Sequence, residues 1–442
     1  MKICLVTAFP PSGRQLNEYG FHLARQLQRN PLVRLTILGD VLGDYAWATD
    51  QDGKPIMAED QRELAGFDVV RCWESNRLSA PLRLAKCVRA LKPDVVWFNL
   101  VYSTFATQAH PLAAFAGLCT PALMRAMGYY THVTLHHILE HVDFAGAGVK
   151  QERLFRVGSD LATRVLLQAN SVTVLLPGYR RTLTKKYAAR NVLLGTHGTF
   201  AARPMPPDFS LRGNPHQRIL AIGHWGTYKR LETLMEAFPA VVRRVPTARL
   251  VIAGANHHTK PGYWESIREK YGDPRIEFRG YVAEEEVPDL FRTSSIVVLP
   301  YDSATGSSGP AHQACEYGVP IVSADIGDFR DMAADEDMAV CFYRTGDPVD
   351  LSAQLIGLLE SVQDQRRAAE QNYAAAIRMT MPNVVRHYLR WFELERRKQN
   401  FSRAARNPLW PLRGRRNGVR SVLHGLPPPG FEGEEEYHEK AG

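Results

Sequence analysis

The chain has 442 residues, 45% of them hydrophobic, and a formal charge of +8. That length exceeds one ordinary core and predicts two domains, and apolar residues spread in short runs exclude a fibrous or disordered chain. The charge is not a general basic surface: residues 396–424 hold nine Lys/Arg and no Asp/Glu, whereas 425–442 hold five Glu and one Lys. The body is nearly balanced, and the basic stretch suits either an anionic membrane surface or plain solvent.

No apolar run approaches the roughly 20 residues that cross a bilayer. The opening "MKICLVTAFPPSG" has a strand-sized apolar stretch without a signal peptide's longer apolar region or cleavage site, so a cytoplasmic protein is expected. Six dispersed cysteines (Cys4, Cys72, Cys87, Cys119, Cys315, Cys341) show neither CxxC nor zinc spacing and read as buried thiols.

In chain order, "KICLVTAF" reads as a strand ending at Pro10-Pro11-Ser12-Gly13, and "NEYGFHLARQLQR" as a helix with Tyr19, Leu23 and Leu27 on one face. Strands follow at "VRLTILG", "FDVVRCW", "DVVWFNL", "THVTLHHI" and "SVTVLLP", with helices at "APLRLAKCVRAL" and "PLAAFAGLCTPALMRAM". Residues 201–217, rich in Pro and Gly without an apolar period, read as a linker.

A second alternating series then begins: "RILAIG", a helix from about Leu231, "ARLVIAG", a helix near Trp264 to Lys270, "IEFRGYV", the short helix "EEEVPDLFRTS", "SIVVLPY", a helix opening near Gly309, and "PIVSAD". Alternation of this kind predicts two doubly wound α/β domains whose ligands bind beyond the carboxyl ends of the strands. The expected boundaries are 1–203 and 204–378, with an amphipathic helix over 379–400 (Val385, Tyr388, Leu389 and Phe392 on one face) packing back on the first domain. Residues 401–442 are expected to form a disordered basic, then acidic, tail.

The stretch "AIGHWGTYKRLETLMEAF", Ala221 to Phe238, carries the first chemical signal. A strand ending at Gly223 and a helix starting near Arg230 leave unpaired N–H groups at a helix N-terminus, where phosphate is favoured by hydrogen bonds and by the helix dipole. Lys229 adds a mobile cation and His224 a further donor; a merely solvated lysine before a helix is the other reading these residues allow.

With "ARLVIAG", "IEFRGYVAEEEVPDLFRTSSIVVLPY" and "EYGVPIVSADIGDF" in this order and spacing, the second domain resembles the group 1 (family four) retaining glycosyltransferases of GT-B fold. The first domain resembles the same family more loosely, through its Pro-rich first loop, "PDVVWFN", "VTLHHILE" and "LLGTHGTF". The resemblance implies an α/β GT-B architecture, two Rossmann-like domains facing a cleft, the first for acceptor and the second for a nucleotide-sugar donor.

It also implies residue roles. Lys229 matches the family's diphosphate-binding Lys, while the companion Arg position falls on His224. The backbone at Gly280, Tyr281 and Val282 corresponds to the nucleobase pocket. The family's paired Glu, with seven residues between them, fall on Thr305 and Gln313 in register with Gly318 and Pro320; Glu316 lies three residues further on, and choosing it breaks that register. In "TGSSGPAHQ", Gly306, Ser307, Ser308 and Gly309 precede a helix with an early Pro310, as a second anion site or as an ordinary Ser N-cap.

In the first domain, His136 matches a family His beside the donor sugar. Glu140 and His141 either assist the acceptor or belong to a plain surface loop. Gly13 lets the first loop approach the diphosphate with Arg14 as charge partner, and His197 matches a position at the cleft.

The implied reaction transfers a sugar from a nucleoside diphosphate to an acceptor hydroxyl with retention. Lys229 and the corner amides stabilise the leaving group, and His136 positions the reacting groups. No cofactor beyond the donor and no metal is expected, since no DxD motif stands where a metal-dependent transferase would carry one. The expected partners are the donor, a glycan or lipid-linked acceptor in polysaccharide or glycolipid synthesis, and a membrane surface touched by the tail. Nucleic acid is not expected, because the arginines of 396–424 have only Phe401 and Trp410 as stacking platforms. Loss of both carboxylates leaves a second expectation: a GT-B protein that binds a nucleotide or sugar as a regulatory partner without transferring it.

Overall fold

The computed structural model describes residues 1–12, 14–42, 66–107, 109–141, 152–201, 203–209, 217–257, 260–303 and 306–405. Gly13, Thr305, much of the expected linker and the tail beyond 405 lie outside the described residues.

Strands and helices alternate as the pattern predicts: β1 (Lys2–Val6), α1 (Asn17–Gln28), β2 (Arg34–Asp40), β3 (Val69–Trp73), α2 (Ala80–Leu91), β4 (Val95–Leu100), α3 (Pro111–Leu118), α4 (Thr120–Ala126), β5 (Tyr130–Leu135), α5 (Glu152–Leu166), β6 (Ser171–Val174), α6 (Pro177–Tyr187) and β7 (Val192–Leu194). These strands form one parallel sheet in the order β3-β2-β1-β4-β5-β6-β7. Every residue of "VVWFNL" (β4) and "YTHVTL" (β5) is buried, as expected where helices cover both faces of a parallel sheet.

The second series is β8 (Arg218–Trp225), α7 (Glu232–Arg244), β9 (Arg249–Asn256), α8 (Tyr263–Lys270), β10 (Ile276–Arg279), α9 (Val287–Arg292), β11 (Ile296–Leu299), α10 (Gly309–Glu316), β12 (Ile321–Ala324), α11 (Gly327–Glu336), β13 (Val340–Tyr343), α12 (Pro348–Glu360) and α13 (Val362–Arg378). Its sheet is also parallel, in the order β10-β9-β8-β11-β12-β13. The strand order reverses between β1 and β4 in the first sheet and between β8 and β11 in the second, which are the places where such sheets open a crevice for ligands.

The chain crosses between the halves twice at one place. It leaves near Thr199 and comes back at residues 379–381, where the Thr199 N–H donates to the Met379 carbonyl (2.8 Å) and the Met381 N–H to the Thr199 carbonyl (3.2 Å). Density of contacts divides the molecule into Met1–Arg386 and His387–Gly442. The last helix, α14 (Met381–Ala405), runs through that division, and its later turns carry pairs such as Arg397 with Glu393 (2.9 Å). Among the described residues no helix is long and apolar enough to cross a membrane, and no group of three or more His, Cys, Asp or Glu could hold a metal ion. All six cysteines are free thiols.

Candidate functional site

At the β8–α7 corner the strand continues two residues past Gly223, to Trp225, and α7 begins at Glu232. The helix is anchored by Leu234, Phe238 and Val241, buried at one-turn spacing, each contributing about 1.5–3 kcal/mol. Strand β9 presses close behind: a Cβ at Gly254 would lie 1.9 Å from the Gly223 carbonyl oxygen, and Gly254 has φ +107°. Only glycine fits there.

Lys229 is half-buried and makes a bridge with Tyr301, so it stands between the ends of β8 and β11, at the reversal point of the second sheet. Its amine lies 4.9 Å from the Tyr301 ring centroid and 6.0 Å from that of Tyr228. Two aromatic faces hold the cation without neutralising it. Among the described residues no carboxylate lies within salt-bridge distance of it. The Tyr301 hydroxyl beside it is buried without a hydrogen-bond partner among the described residues, and burial pushes it above the ordinary phenol range.

The helix N-terminus itself is more occupied than the sequence suggests. The Leu231 N–H donates to the Tyr263 hydroxyl (2.7 Å), and the Glu232 carboxylate accepts from that same hydroxyl (2.6 Å) and from Arg230 (2.9 Å). Lys229, not the helix end, is therefore the principal positive element at this corner. His224 is exposed on β8 opposite Ala255; Tyr281 is half exposed and Val282 buried just beyond β10.

The loop before α10 closes the other side. Ser308 is the N-cap of α10, its hydroxyl accepting from the Ala311 N–H (3.4 Å), so the ordinary capping role is realised. The Ser307 hydroxyl faces the Met332 sulfur at 3.7 Å, and Gly309 begins the helix. Gln313 is half-buried on α10, and its amide has no partner among the described residues. Glu316 is buried and committed elsewhere, its Oε2 accepting the Ala201 N–H at 3.0 Å. It holds the segment that leads from the first half to the second.

From the first half, His136 follows β5 directly, buried, with Nε2 2.7 Å from the Asn99 Oδ1. Asn99 in turn donates to the Thr7 hydroxyl (3.0 Å), which fixes its oxygen toward His136. His136 therefore carries its proton on Nε2 and a lone pair on Nδ1, and burial holds its pKa down to about 3. Arg14 pairs with Asp40 (3.4 Å), which also takes the Ser12 hydroxyl and the Phe9 N–H. Arg71 binds the Phe9 and Pro10 carbonyls. The first loop is thus pinned from beneath.

Glu140 accepts from Tyr187 and from Thr163 (3.3 Å), and His141 contacts Asp328 (3.1 Å) and Thr182 (3.0 Å). Both serve packing rather than an open loop.

The two halves meet through a column of rings. Tyr19 lies edge-on to His136 (4.5 Å) and beside His197 (4.9 Å), and His197 packs on His312 of α10 at 4.7 Å. His312 Nδ1 donates to the Ser308 carbonyl (2.7 Å), while Nε2 stands 2.8 Å from the Glu336 carboxylate, close but poorly aligned for a linear hydrogen bond. An acceptor at Nδ1 and a carboxylate beside Nε2 both favour the protonated ring. Burial pushes its pKa down, but the Glu336 charge and the Ser308 carbonyl outweigh that and hold it above the ordinary histidine range. His197, without such a partner, is held well below that range by burial and by its histidine neighbours.

His312, Glu336, Tyr301 and Asp328 are absent from the sequence reading. The available signal was a histidine and a glutamate among small apolar residues on helices that must cover a parallel sheet.

Residues 216–361 match the family described as glycosyl transferases group 1. The chain is similar to a phosphatidyl-myo-inositol mannosyltransferase of Mycolicibacterium smegmatis, 26% identical over 173 residues, a stretch that covers 38% of this chain and 42% of that relative. Among solved structures, HepE of Anabaena in complex with UDP aligns with a TM-score of 0.63 and 16% identity, over 89% of this chain and 99% of that one. Sucrose-phosphate synthase of Thermosynechococcus elongatus aligns at 0.66 and 14%, over 91% and 99%. The fold is GT-B, with two Rossmann-like domains, as the sequence predicts.

Proposed function

We propose that this chain is a retaining glycosyltransferase that moves a sugar from a nucleoside-diphosphate sugar to an acceptor hydroxyl, in polysaccharide or glycolipid synthesis. The observation that carries the reading is Lys229, a cation held by two tyrosine faces at the reversal point of the second sheet. It lies within the segment that matches group 1 glycosyl transferases. UDP bound to HepE and the mannosyltransferase relative support a nucleotide-sugar donor.

In this mechanism the Lys229 amine binds the diphosphate and neutralises charge on the leaving phosphate as the glycosidic bond breaks. Gln313 accepts from a sugar or ribose hydroxyl, and the neutral His136 offers its Nδ1 lone pair to a hydroxyl beside the reacting carbon. The donor is the sole small molecule required; no metal takes part, and the protein works in the cytoplasm with its basic tail on an anionic membrane.

A second reading is favoured by one observation. Gln313 supplies a neutral amide where the resembled family has a carboxylate, and a hydrogen bond to a neutral group is weaker by about half. A protein that binds a nucleotide sugar without transferring it fits that loss. Calorimetry and turnover with a panel of UDP-, GDP- and ADP-sugars test both: tight binding with turnover supports the enzyme, tight binding without turnover on any acceptor supports the partner, and no binding overturns both.

A further inference from the structure

Asp328 is buried on the first turn of α11, and neither the corner chemistry nor the ring column uses it. Its carboxylate gathers three segments. Oδ2 accepts from the Tyr179 hydroxyl (2.5 Å) and from the Gly306 N–H (3.3 Å), and Oδ1 stands 3.1 Å from His141 Nδ1. Tyr179 and His141 belong to the first half, whereas Gly306 begins the loop that leads to Ser307 and Ser308.

The geometry around Gly306 shows what that bond controls. Its φ is +94°, and a Cβ there would lie 2.5 Å from the His136 carbonyl oxygen, so the loop backbone rests directly on the residue assigned to the reacting groups. Nearly one turn along α11, Asp331 binds the exposed Arg181 through both oxygens (3.0 and 2.9 Å). That pair adds contact between the halves without touching the loop.

We propose that Asp328 is a positioning residue that couples closure of the two halves to the placement of the 306–308 loop against His136. This rests on the reading of the site given above. Tyr179 and His141 reach Asp328 only when the first half is seated, and Asp328 then holds the Gly306 amide in the left-handed conformation that lets the loop meet His136. Breaking the bond leaves the nucleotide grip of Lys229 intact and loosens the geometry at the sugar.

The test uses the full chain with Asp328→Asn, Tyr179→Phe and, as a control, Asp331→Asn. Hydrogen exchange followed on the peptide carrying Gly306 to Ser308 is expected to accelerate at least tenfold in Asp328→Asn and about threefold in the gentler Tyr179→Phe. It should remain at the wild-type rate in Asp331→Asn. In turnover with the preferred donor, Asp328→Asn is expected to lower kcat tenfold or more while KM for the donor stays within twofold; a merely structural role would move both together or neither.

Unchanged exchange in the folded Asp328→Asn and Tyr179→Phe proteins overturns the proposal. So does acceleration of equal size in Asp331→Asn. If the wild-type chain turns over no donor, the enzymatic reading fails while the exchange measurement still decides the coupling.

Discussion

Acidification from pH 7 to pH 5 should cost this protein much of its stability, and the magnitude follows from three buried histidines and one half-buried. Burial holds His132 and His136 at about 3, and His22 and His137 at about 4. Each stays neutral in the folded state while its unfolded counterpart takes up a proton below about 6.5. A lowered histidine therefore removes stability as the pH falls, at about 2 kcal/mol for each over these two pH units, roughly 7 kcal/mol together. Two effects run the other way. The raised His312 contributes stability that is fully present below about 6.5, and the buried Asp40 and Glu316, raised by burial, recover stability as they protonate.

The net loss is still comparable with a typical total of about 5–15 kcal/mol. Urea unfolding followed by far-UV circular dichroism at pH 7, 6 and 5 measures it. His132→Asn, whatever its cost at pH 7, should reduce the further loss between pH 7 and 5 by about 2 kcal/mol. A wild-type loss under about 1 kcal/mol, or an unaltered slope in His132→Asn, refutes the reasoning.

Lys229→Ala should weaken nucleoside-diphosphate binding about 10- to 100-fold by calorimetry, the worth of a hydrogen bond to a charged group, with Lys229→Arg recovering part of it. His136→Ala should leave nucleotide-sugar affinity within about twofold while slowing turnover about 100-fold in steady-state assays. Gly306→Ala meets both the positive φ and the His136 carbonyl and should cost about 2 kcal/mol in thermal melting. Glu336→Gln leaves His312 without its counter-charge and should cost about 3 kcal/mol at pH 6; that difference should shrink in alkaline solution, once the pH passes the raised value of His312.

The fold was legible because the strands announce themselves. "VVWFNL", "RLVIAG" and "IVVL" are β-branched or aromatic runs bounded by turns, and a chain that alternates them with amphipathic helices has few topologies open to it. The weaker elements were missed for physical reasons. β7 is three half-buried residues at a sheet edge, and α6 opens with Pro-Gly, which reads as a turn until Pro177 is seen at the first helical position. Lys229 was legible as a cation at a strand-to-helix corner, but its tyrosine cradle was not, since Tyr301 is 72 residues away in sequence and arrives through β11. Nor did sequence show that Arg14 pairs with Asp40 or that His141 meets Asp328, since those carboxylates arrive from distant strands and helices.

The hydrogen bonds that tie Thr199 to residues 379 and 381 make the second half an insertion whose two ends are neighbours. Two lengths of polypeptide lying abreast behave as a hinge with one preferred axis, not as a free swivel. The second half is thus joined to the first as a cassette, its entry and exit standing side by side.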